Sequence, residues 1–420
     1  MGVPLPDASA WHFPAEMVGI PGSPRVVVAP EPGAGRLTAQ WLFDAGANDE
    51  AAAAFGLSHL VEHLAFGPIG APDAPDFDER LGALGGTSDG WTDRERMGWG
   101  ATVPVSAPED ALALVKLEGE RWRGLVIDDA AVVRQRSIVR QELAETIDWP
   151  HGLDRPWLDQ LLWSAGEPWS RHPQSPPAEA STVAEAQARW LILRDRAVLV
   201  LAGEIDPAAV TPALQAAFAG TTTPEPPRPV AKLGDPGCEP GPPAVTWRKA
   251  NVAEGAVYLA WPVPGRDHPD RVALEAIARW MGGARLSAGA GCGELVVERR
   301  GTWWSMHRHV TSIRRAIAAI ARDGLDPGSV DRTRIAQLTD LARAVGSLDV
   351  RARAAAGCVL ADRAPDCLAD EADAWIHLDP AATQHAAARW LEPEATTVLA
   401  VVPPDTLFAP PIPGIARRPW

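Results

Sequence analysis

The chain has 420 residues, of which 46% are hydrophobic, so it can bury one large core or two ordinary ones, and its length favours two or three domains. A formal net charge of −15 without a basic run argues against nucleic-acid binding, because such a surface repels a phosphate backbone. No segment is long and apolar enough to span a bilayer, and the first residues lack the basic and apolar regions of a signal peptide, so we expect a cytoplasmic protein.

The four cysteines are scattered along the chain, at positions 238, 292, 358 and 367. They have neither CxxC spacing nor a neighbouring histidine at ligand spacing, which argues against a zinc ribbon. Scattered thiols in a chain of this size are typical of a reducing cytoplasm.

The first informative segment in chain order is a predicted strand followed by a helix. Residues 42–49 are predicted to form a strand that runs into a turn, and residues 50–66 a helix rich in Ala and Leu. The helix has an apolar stripe, which places it at the margin between the core and a cavity. The stripe consists of Leu57, Leu60, Val61 and Leu64.

This helix carries the sequence His59-Leu-Val-Glu62-His63. Residues four apart on an α-helix lie about 6 Å apart along its axis and on one face, so both imidazoles can reach one Zn²⁺. Glu62 shares that face and can take a proton from water without being a ligand. This HxxEH order is the inverzincin pattern of metalloproteases, although a surface helix can also carry it by coincidence.

A catalytic zinc has three protein ligands, so a third Asp, Glu or His must come from elsewhere. The best candidate is Glu142, which lies in a helix predicted over residues 129–146. Because Val139 precedes it by one turn and Leu143 follows it, its carboxylate would be costly to bury without a metal partner. Glu145, one turn further on, is the alternative, and an ordinary solvated Glu142 is the competing interpretation.

Four segments, in this order along the chain, resemble motifs of the pitrilysin family of metallopeptidases. They are Gly46-Ala-Asn-Asp-Glu50, Gly56-Leu-Ser-His-Leu-Val-Glu-His-Leu-Ala-Phe-Gly67, Leu84-Gly-Gly-Thr-Ser-Asp-Gly-Trp-Thr92 and Gln135-Arg-Ser-Ile-Val-Arg-Gln-Glu142. The family includes insulin-degrading enzyme, the mitochondrial processing peptidase and bacterial half-size relatives. The resemblance covers about residues 26–220 and is weaker over the rest of the chain.

The resemblance implies a role for each matching position in the site. His59, His63 and Glu142 would be zinc ligands. Glu62 would be the general base that activates water. The separation of His63 and Glu142 along the chain is also close to that of the family.

The resemblance also implies a substrate-binding strand. Residues 86–103 would form the edge strand beside the zinc, which in the family pairs with an extended substrate through its backbone. The substrate-binding residues implied on it are Asp89, Gly90 and Trp91, with Asp89 in place of the usual Asn. By themselves, Gly85 and Gly86 predict no more than a turn before a strand.

Three positions depart from the family pattern. Gln135 stands where peptide-cleaving members often carry a Glu, and an amide cannot titrate. The family's second half usually supplies an Arg and a Tyr to the substrate carbonyl, and the matching positions here are Val297 and Trp304. Valine cannot donate a hydrogen bond to an oxyanion and an indole can donate only one, so these donors would have to come from elsewhere.

The second half of the chain is predicted to be shortened. Residues 302–311 are predicted to form a strand that runs almost at once into a helix near Ile313, where the family places another strand between them. His307 and His309 would then point to one face of the strand, which permits a second metal or an oxyanion contact. Solvated or substrate-facing rings are the simpler interpretation.

A proline-rich stretch over residues 221–243 is interpreted as a linker between a zinc-binding domain, residues 1–220, and a second domain, residues 244–420. Both halves contain a predicted strand followed by a turn and an Ala-rich helix, with strands at residues 36–43 and 256–262, but the second half lacks HxxEH. The predicted fold class is α+β, with two homologous domains, each a mostly antiparallel sheet covered by helices.

These observations predict a zinc-dependent endopeptidase subunit with Zn²⁺ as its cofactor. It would hydrolyse peptides, with a precursor or leader peptide as one option, in a chamber formed with a partner chain. The expected partner is a second half-size homologue that supplies the Arg and Tyr, with a homodimer less favoured, and neither nucleic acid nor membrane is expected. The competing hypothesis is a non-catalytic structural or substrate-binding subunit, which would have no need to keep Glu62.

Overall fold

The computed structural model describes residues 11–172, 182–222, 232–235 and 237–415. Within these ranges the chain forms two compact units, each built on one β-sheet with helices, which confirms the α+β fold class. The first unit comprises the described residues of Met1–Glu142, Pro176–Arg228 and Thr339–Asp373, and the second those of Leu143–Ser175, Pro229–Leu338 and Ala374–Trp420.

Each sheet is mostly antiparallel. The strands are β1 (Glu16–Val18), β2 (Arg25–Pro30), β3 (Arg36–Phe43), β4 (Thr87–Thr92), β5 (Met97–Pro104), β6 (Ala197–Gly203), β7 (Val245–Lys249), β8 (Gly255–Pro264), β9 (Ala284–Ala288), β10 (Cys292–Gly301) and β11 (Thr397–Val402). Their order is β1-β2-β6-β3-β5-β4 in the first sheet and β7-β11-β8-β10-β9 in the second. The β2–β6 and β11–β7 pairs are parallel, and the other pairs are antiparallel.

The helices cover these sheets. In chain order they are α1 (Leu57–Leu64), α2 (Phe77–Ala83), α3 (Pro108–Gly124), α4 (Asp129–Asp148), α5 (Asp154–Leu162), α6 (Val183–Asp195), α7 (Pro207–Phe218), α8 (Arg271–Met281), α9 (Met306–Asp323), α10 (Pro327–Val345), α11 (Leu348–Leu360), α12 (Leu368–Ile376) and α13 (Pro380–Trp390). Across the described residues, none of them is both long and apolar enough to cross a membrane.

Side-chain alternation along β3 gives the first sheet two different faces. Leu37, Trp41 and Phe43 enter a hydrophobic core that α1, α3, α6 and α7 complete. On the opposite face, Thr102 of β5 donates a hydrogen bond to Asp349 of α11, whose helix packs along β3 and β6. The helix that bears the HxxEH sequence therefore lies on the core side of the first sheet.

The helix predicted over residues 50–66 is shorter than expected. Ala52–Ala54 form a separate 3₁₀ turn, and α1 begins only after Gly56, whose φ of 94° lies in the left-handed region. Glycine adopts this conformation without a Cβ clash, so the chain can change direction there. Of the strand and turn predicted over residues 42–49, only Leu42 and Phe43 belong to β3, whose bounds are those of the strand predicted at residues 36–43.

The prediction of a strand over residues 302–311 is wrong. β10 ends at Gly301, Trp303–Ser305 form a 3₁₀ turn, and α9 follows at once. The buried residues of α9 recur every three or four positions, as a helix requires. They are Met306, Val310, Ile313, Ile317 and Ile320. His307 and His309 therefore lie two positions apart on a helix and do not share a face.

The compact units differ in two segments from the contiguous division expected from the sequence. Leu143–Ser175 belongs to the second unit, and Thr339–Asp373 belongs to the first. Local composition marks a proline-rich boundary but does not report which distant segments pack together. Much of the linker predicted over residues 221–243 lies outside the described residues, so the linker and the contiguous domain boundaries remain predictions.

The four cysteines are paired, so the expectation of scattered thiols is wrong. Cys238 is bonded to Cys292 in the second unit, and Cys358 to Cys367 in the first. Cysteine spacing alone does not reveal such pairs, because the fold brings the partners together. Disulfides persist mainly in oxidising compartments, so the cysteines no longer support the predicted cytoplasmic location.

Candidate metal centre

A buried carboxylate fixes the N-terminus of α1. Glu50 accepts hydrogen bonds from the backbone amides of Gly56 and Ser58, each at 2.5 Å. Arg189 of α6 donates to Ser58 Oγ at 2.7 Å and to the Gly46 carbonyl at 2.8 Å, and it is attracted to Glu50. The first amides of a helix lack partners within the helix, so this carboxylate both satisfies them and complements the helix dipole.

The apolar stripe predicted on α1 is buried. It consists of Leu57, Leu60, Val61 and Leu64, which join the core of the first sheet. The helix contacts α6, β4 and β5, while the rings of His59 and His63 remain half-buried at its other side. The packing therefore leaves the two imidazoles accessible at the margin of the core.

Three donor atoms meet beside α1. Glu142 Oε2 lies 3.2 Å from His63 Nε2 and 3.6 Å from His59 Nε2, and the two Nε2 atoms are 3.2 Å apart. Ligand atoms at the usual 2.0–2.1 Å from one tetrahedral zinc ion would be roughly 3.3 Å apart. These residues therefore fit a zinc ion with three protein ligands and one open position.

Glu142, and not Glu145, completes this cluster in the described part of the chain. The burial argument for Glu142 was wrong, however, because its side chain is 54% exposed. Val139 and Leu143 face the core from α4, and the neighbouring Ile138, one turn before Glu142, is exposed. The carboxylate thus reaches the histidines from the solvent side of α4.

Gln135 also belongs to the surroundings of the site. Its side chain hydrogen-bonds to His63. It precedes Glu142 by two helical turns on α4, so both side chains lie on the same side of that helix. The amide that replaces the family's Glu therefore contacts one of the candidate ligands.

Burial keeps both imidazoles neutral at pH 7. It lowers the pKa of His59 to about 4, with the neighbouring His63 adding to the effect, and it lowers the pKa of His63 as well. Glu142 opposes both shifts. A neutral ring has a free lone pair, which is the form that binds a metal.

Glu62 lies next to the donor cluster on α1 and is nearly buried. Its Oε2 accepts a hydrogen bond of 2.6 Å from Thr92 Oγ1 at the end of β4. Burial raises the pKa of Glu62 to about 7, and the Thr92 hydrogen bond partly opposes that rise. Gly90 leaves room for this carboxylate, because a Cβ atom there would lie 2.7 Å from Glu62 Oε1.

The edge strand next to α1 is β4. Residues 86–103, predicted as one strand, form two strands connected by a turn over residues 93–96, in which the Asp93 amide donates to the Arg96 carbonyl. Among the strands of the described residues, β4 pairs only with β5, so its other edge is the outer edge of the first sheet. A strand with one free edge can accept another extended chain.

The three predicted substrate-binding residues divide between the two faces of β4. Gly90 lies on the side of Glu62, together with Thr92. Asp89 lies on the other side, where Arg353 of α11 pairs with it at 3.1 Å and stands 5.7 Å from the ring of Trp91. Of the three, only Gly90 adjoins the Glu62 side chain directly, while Asp89 acts on Glu62 through its charge.

Sequence reasoning missed two groups of supporting residues. Thr92 could have been found, since it follows Gly90 by two positions on a strand and so shares its face. Glu50 lies in the first of the four motif segments but was given no role there, and Arg189 gave no signal, because their interaction depends on how α6 packs beside α1.

The remaining predicted residues lie in the second unit. Val297 is fully buried in β10, between β8 and β9. Trp304 is 59% exposed in the turn that precedes α9. His307 and His309 follow in the first turns of α9. Val297 therefore supplies no hydrogen-bond donor, and the indole of Trp304 supplies one, fewer than an Arg and a Tyr would offer.

Two family models match the chain. The model described as insulinase, peptidase family M16, matches residues 25–151, and the model described as the peptidase M16 inactive domain matches residues 185–292. The first range contains the candidate ligands and Glu62, and the second begins after them.

Relatives and solved structures are similar as well. An uncharacterized zinc protease of Mycobacterium bovis is 27% identical over 282 residues, which are 64% of this chain and 61% of the relative. A protease from Helicobacter pylori superposes with a TM-score of 0.80 at 15% identity, over 93% of this chain and 100% of that one. The peptidase M16 inactive domain from Pseudomonas fluorescens superposes with a TM-score of 0.79 at 13% identity, over 95% of this chain and 100% of that one. At these identities the two solved structures establish the fold alone.

Proposed function

This chain belongs to peptidase family M16, the insulinase or pitrilysin family, and we propose that it is a zinc-dependent endopeptidase subunit. The observation that carries the proposal is the donor cluster of His59, His63 and Glu142 at tetrahedral spacing, with Glu62 beside it. The zinc proteases among its relatives support the same class of reaction.

The chain's own residues would bind the peptide and move the proton. Zinc, when bound, supplies a Lewis acid that polarises the scissile carbonyl. Glu62 would accept a proton from the attacking water and pass it to the leaving amine, while Thr92 fixes its second oxygen. The free edge of β4 would bind the extended peptide through backbone hydrogen bonds next to Glu62.

The proposal includes a partner chain. Val297 and Trp304 replace an Arg and a Tyr, so we propose that a second half-size homologue supplies those donors to the developing oxyanion. The substrate would be a peptide, with a precursor or leader peptide as one option, enclosed between the two chains.

A non-catalytic subunit is the second candidate function. The match of residues 185–292 to a model described as an inactive domain favours it, as does the loss of the Arg and Tyr. The presence of Glu62 favours the catalytic function. A structural or substrate-holding subunit would have no use for a nearly buried carboxylate beside three metal donors.

The test is hydrolysis of an unstructured peptide by this chain mixed with a homologue that carries the Arg and Tyr. Glu62→Gln should retain zinc and lose at least ~10²-fold in activity, because it removes the proton acceptor and can still accept the Thr92 hydrogen bond. The control variant Glu109→Gln, on α3, should change neither the zinc content nor the activity. Full activity of Glu62→Gln contradicts the general-base role, and activity after complete zinc removal contradicts a zinc enzyme.

A further inference from the structure

An exposed apolar cluster in the second unit has no role in the proposed reaction. Among the described residues, three of the four most exposed large apolar side chains belong to it: Leu407 at 83%, Phe408 at 69% and Trp304 at 59%. With Trp303 they line a cavity of about 430 Å³, here called the tryptophan pocket. Small-ligand and side-chain pockets have typical volumes of about 300–1,000 Å³.

The tryptophan pocket is built from ordered turns at the ends of three strands. Gly255 at the start of β8 pairs with Gly301 at the end of β10, and the chain leaves β11 just before the pocket. The indoles of Trp303 and Trp304 lie edge to face, with ring centroids 5.9 Å apart. Rigid aromatic side chains offer a large contact area with little loss of conformational entropy on binding.

The rim of the pocket is acidic. Glu254 and Asp405 line it, both are exposed, and neither forms a hydrogen bond or an ion pair with the described residues. Arg300 interacts electrostatically with Glu254 but is paired with Glu298 at 2.7 Å, and Lys249 donates to the Pro404 carbonyl. The occupant should therefore combine an apolar group with a positive charge.

We propose that the tryptophan pocket binds an extended peptide segment that carries a large apolar side chain next to a Lys or Arg. Contiguous exposed apolar patches usually mark interaction sites, whereas single exposed apolar side chains are common on any surface. A second copy of this chain fits poorly, because two surfaces of chains with a net charge of −15 repel each other. The binding goes beyond the proposed hydrolysis and requires neither zinc nor Glu62.

Fluorescence anisotropy of a labelled peptide tests the proposal on the full chain. The peptide is uncleaved because EDTA removes zinc, so the measurement reports binding alone, whatever the outcome of the activity test. A peptide containing Phe-Arg should bind, and its Phe-Glu and Ala-Arg versions should bind at least ~10-fold more weakly. Equal binding of the three peptides contradicts the proposal.

Variants identify the pocket. Trp304→Ala and Leu407→Ala should each weaken binding by ~10-fold or more, and Asp405→Asn by ~3-fold with a smaller dependence on salt. Trp149→Ala is the matched control, because Trp149 is 68% exposed and lies outside the pocket, and it should leave binding unchanged. All three pocket residues are exposed, so unfolding should not obscure the result, and circular dichroism checks this. Equal effects of Trp149→Ala and Trp304→Ala, or pocket variants that change only self-association in sedimentation, overturn the proposal.

Discussion

Glu142 is the residue on which the proposed zinc site depends most. Its Oε2 lies within 3.6 Å of both imidazole nitrogens, whereas Glu145 is outside the cluster. Glu142→Ala should therefore lower zinc affinity by more than the ~10–100-fold that loss of a hydrogen bond to a ligand costs. Glu145→Ala should change it by less than about threefold. Competition with a chelating dye measures both.

Two results would contradict this assignment. A larger loss of affinity for Glu145→Ala would make that residue the ligand. Unchanged zinc content after replacement of His59, His63 and Glu142 by Ala would place the metal elsewhere in the chain.

At the residue scale, the sequence predicted the members of the cluster but not their environment. Helical spacing puts His59 and His63 on one face, and the order of the motifs selects Glu142. The exposure of Glu142 could not be predicted, because it depends on which side of α4 faces the core. Strand spacing puts Thr92 on the same face of β4 as Gly90, but its hydrogen bond to Glu62 depends on how β4 packs against α1.

Helix α1 has only eight residues, so its stability depends on contacts with its surroundings. Glu50→Ala should destabilise the fold by about 1–2 kcal/mol, because it removes the acceptor of two N-terminal amides and the partner of buried Arg189. It should also weaken zinc binding, since α1 carries both histidines. Urea unfolding and dye competition measure the two effects.

A matched control is available on another helix. Asp206 caps α7 by accepting from the Ala208 amide at 2.9 Å. Asp206→Ala should cost about 1 kcal/mol of stability and leave zinc affinity unchanged. If Glu50→Ala and Asp206→Ala lower the zinc affinity equally, Glu50 contributes to the general stability of the fold and not to the zinc site.

The two disulfides should differ in their contribution to stability. Their partners are separated by 54 residues for Cys238–Cys292 and by 9 for Cys358–Cys367. The chain-entropy model gives about 4 kcal/mol for the longer loop and about 2.5 kcal/mol for the shorter one. Replacing Cys238 and Cys292 by Ala should therefore lower the denaturation midpoint more than replacing Cys358 and Cys367. The reverse order, or free thiols in native protein under alkylation and mass spectrometry, contradicts this prediction.

At the element scale, both wrong predictions followed a local sequence pattern that backbone conformation or core packing overrides. The helix predicted over residues 50–66 was too long because Ala and Leu favour helix. The left-handed conformation of Gly56 separates residues 50–55 from α1, which begins at Leu57. The strand predicted over residues 302–311 ignored the spacing of the apolar residues in this segment. The apolar residues from Met306 to Ile320 have the helical period, and their burial determined the structure.

At the scale of the whole molecule, local patterns predicted two sheet-based halves but not the segments that each half recruits. Thr339–Asp373 joins the first unit although it lies far along the chain. Its helix α11 buries small residues against β3 and β6, with Ala352, Ala355 and Ala356 fully buried. Such an alanine-rich face could pack on either sheet, so the sequence does not identify its partner.

The purified chain should bind zinc but hydrolyse peptides poorly by itself. Loss of one oxyanion donor typically costs ~10²–10³ in kcat, and Val297 and Trp304 stand where two donors are expected. A partner chain with the Arg and Tyr should restore zinc-dependent hydrolysis when the two are mixed. Titration of the partner at fixed concentration of this chain should give a saturating activity that Glu62→Gln in this chain abolishes.

Restoring the donors within this chain should fail for a structural reason. Trp304→Tyr should be tolerated because the side chain is exposed, but Val297→Arg would bury a charge in the middle of β10 and destabilise the second unit by several kcal/mol. Thermal unfolding should show this difference between the two variants. If the purified chain alone turns over peptides near ~1 s⁻¹, at the lower end of ordinary enzymes, then complementation by a partner is wrong and this chain supplies its own oxyanion donors.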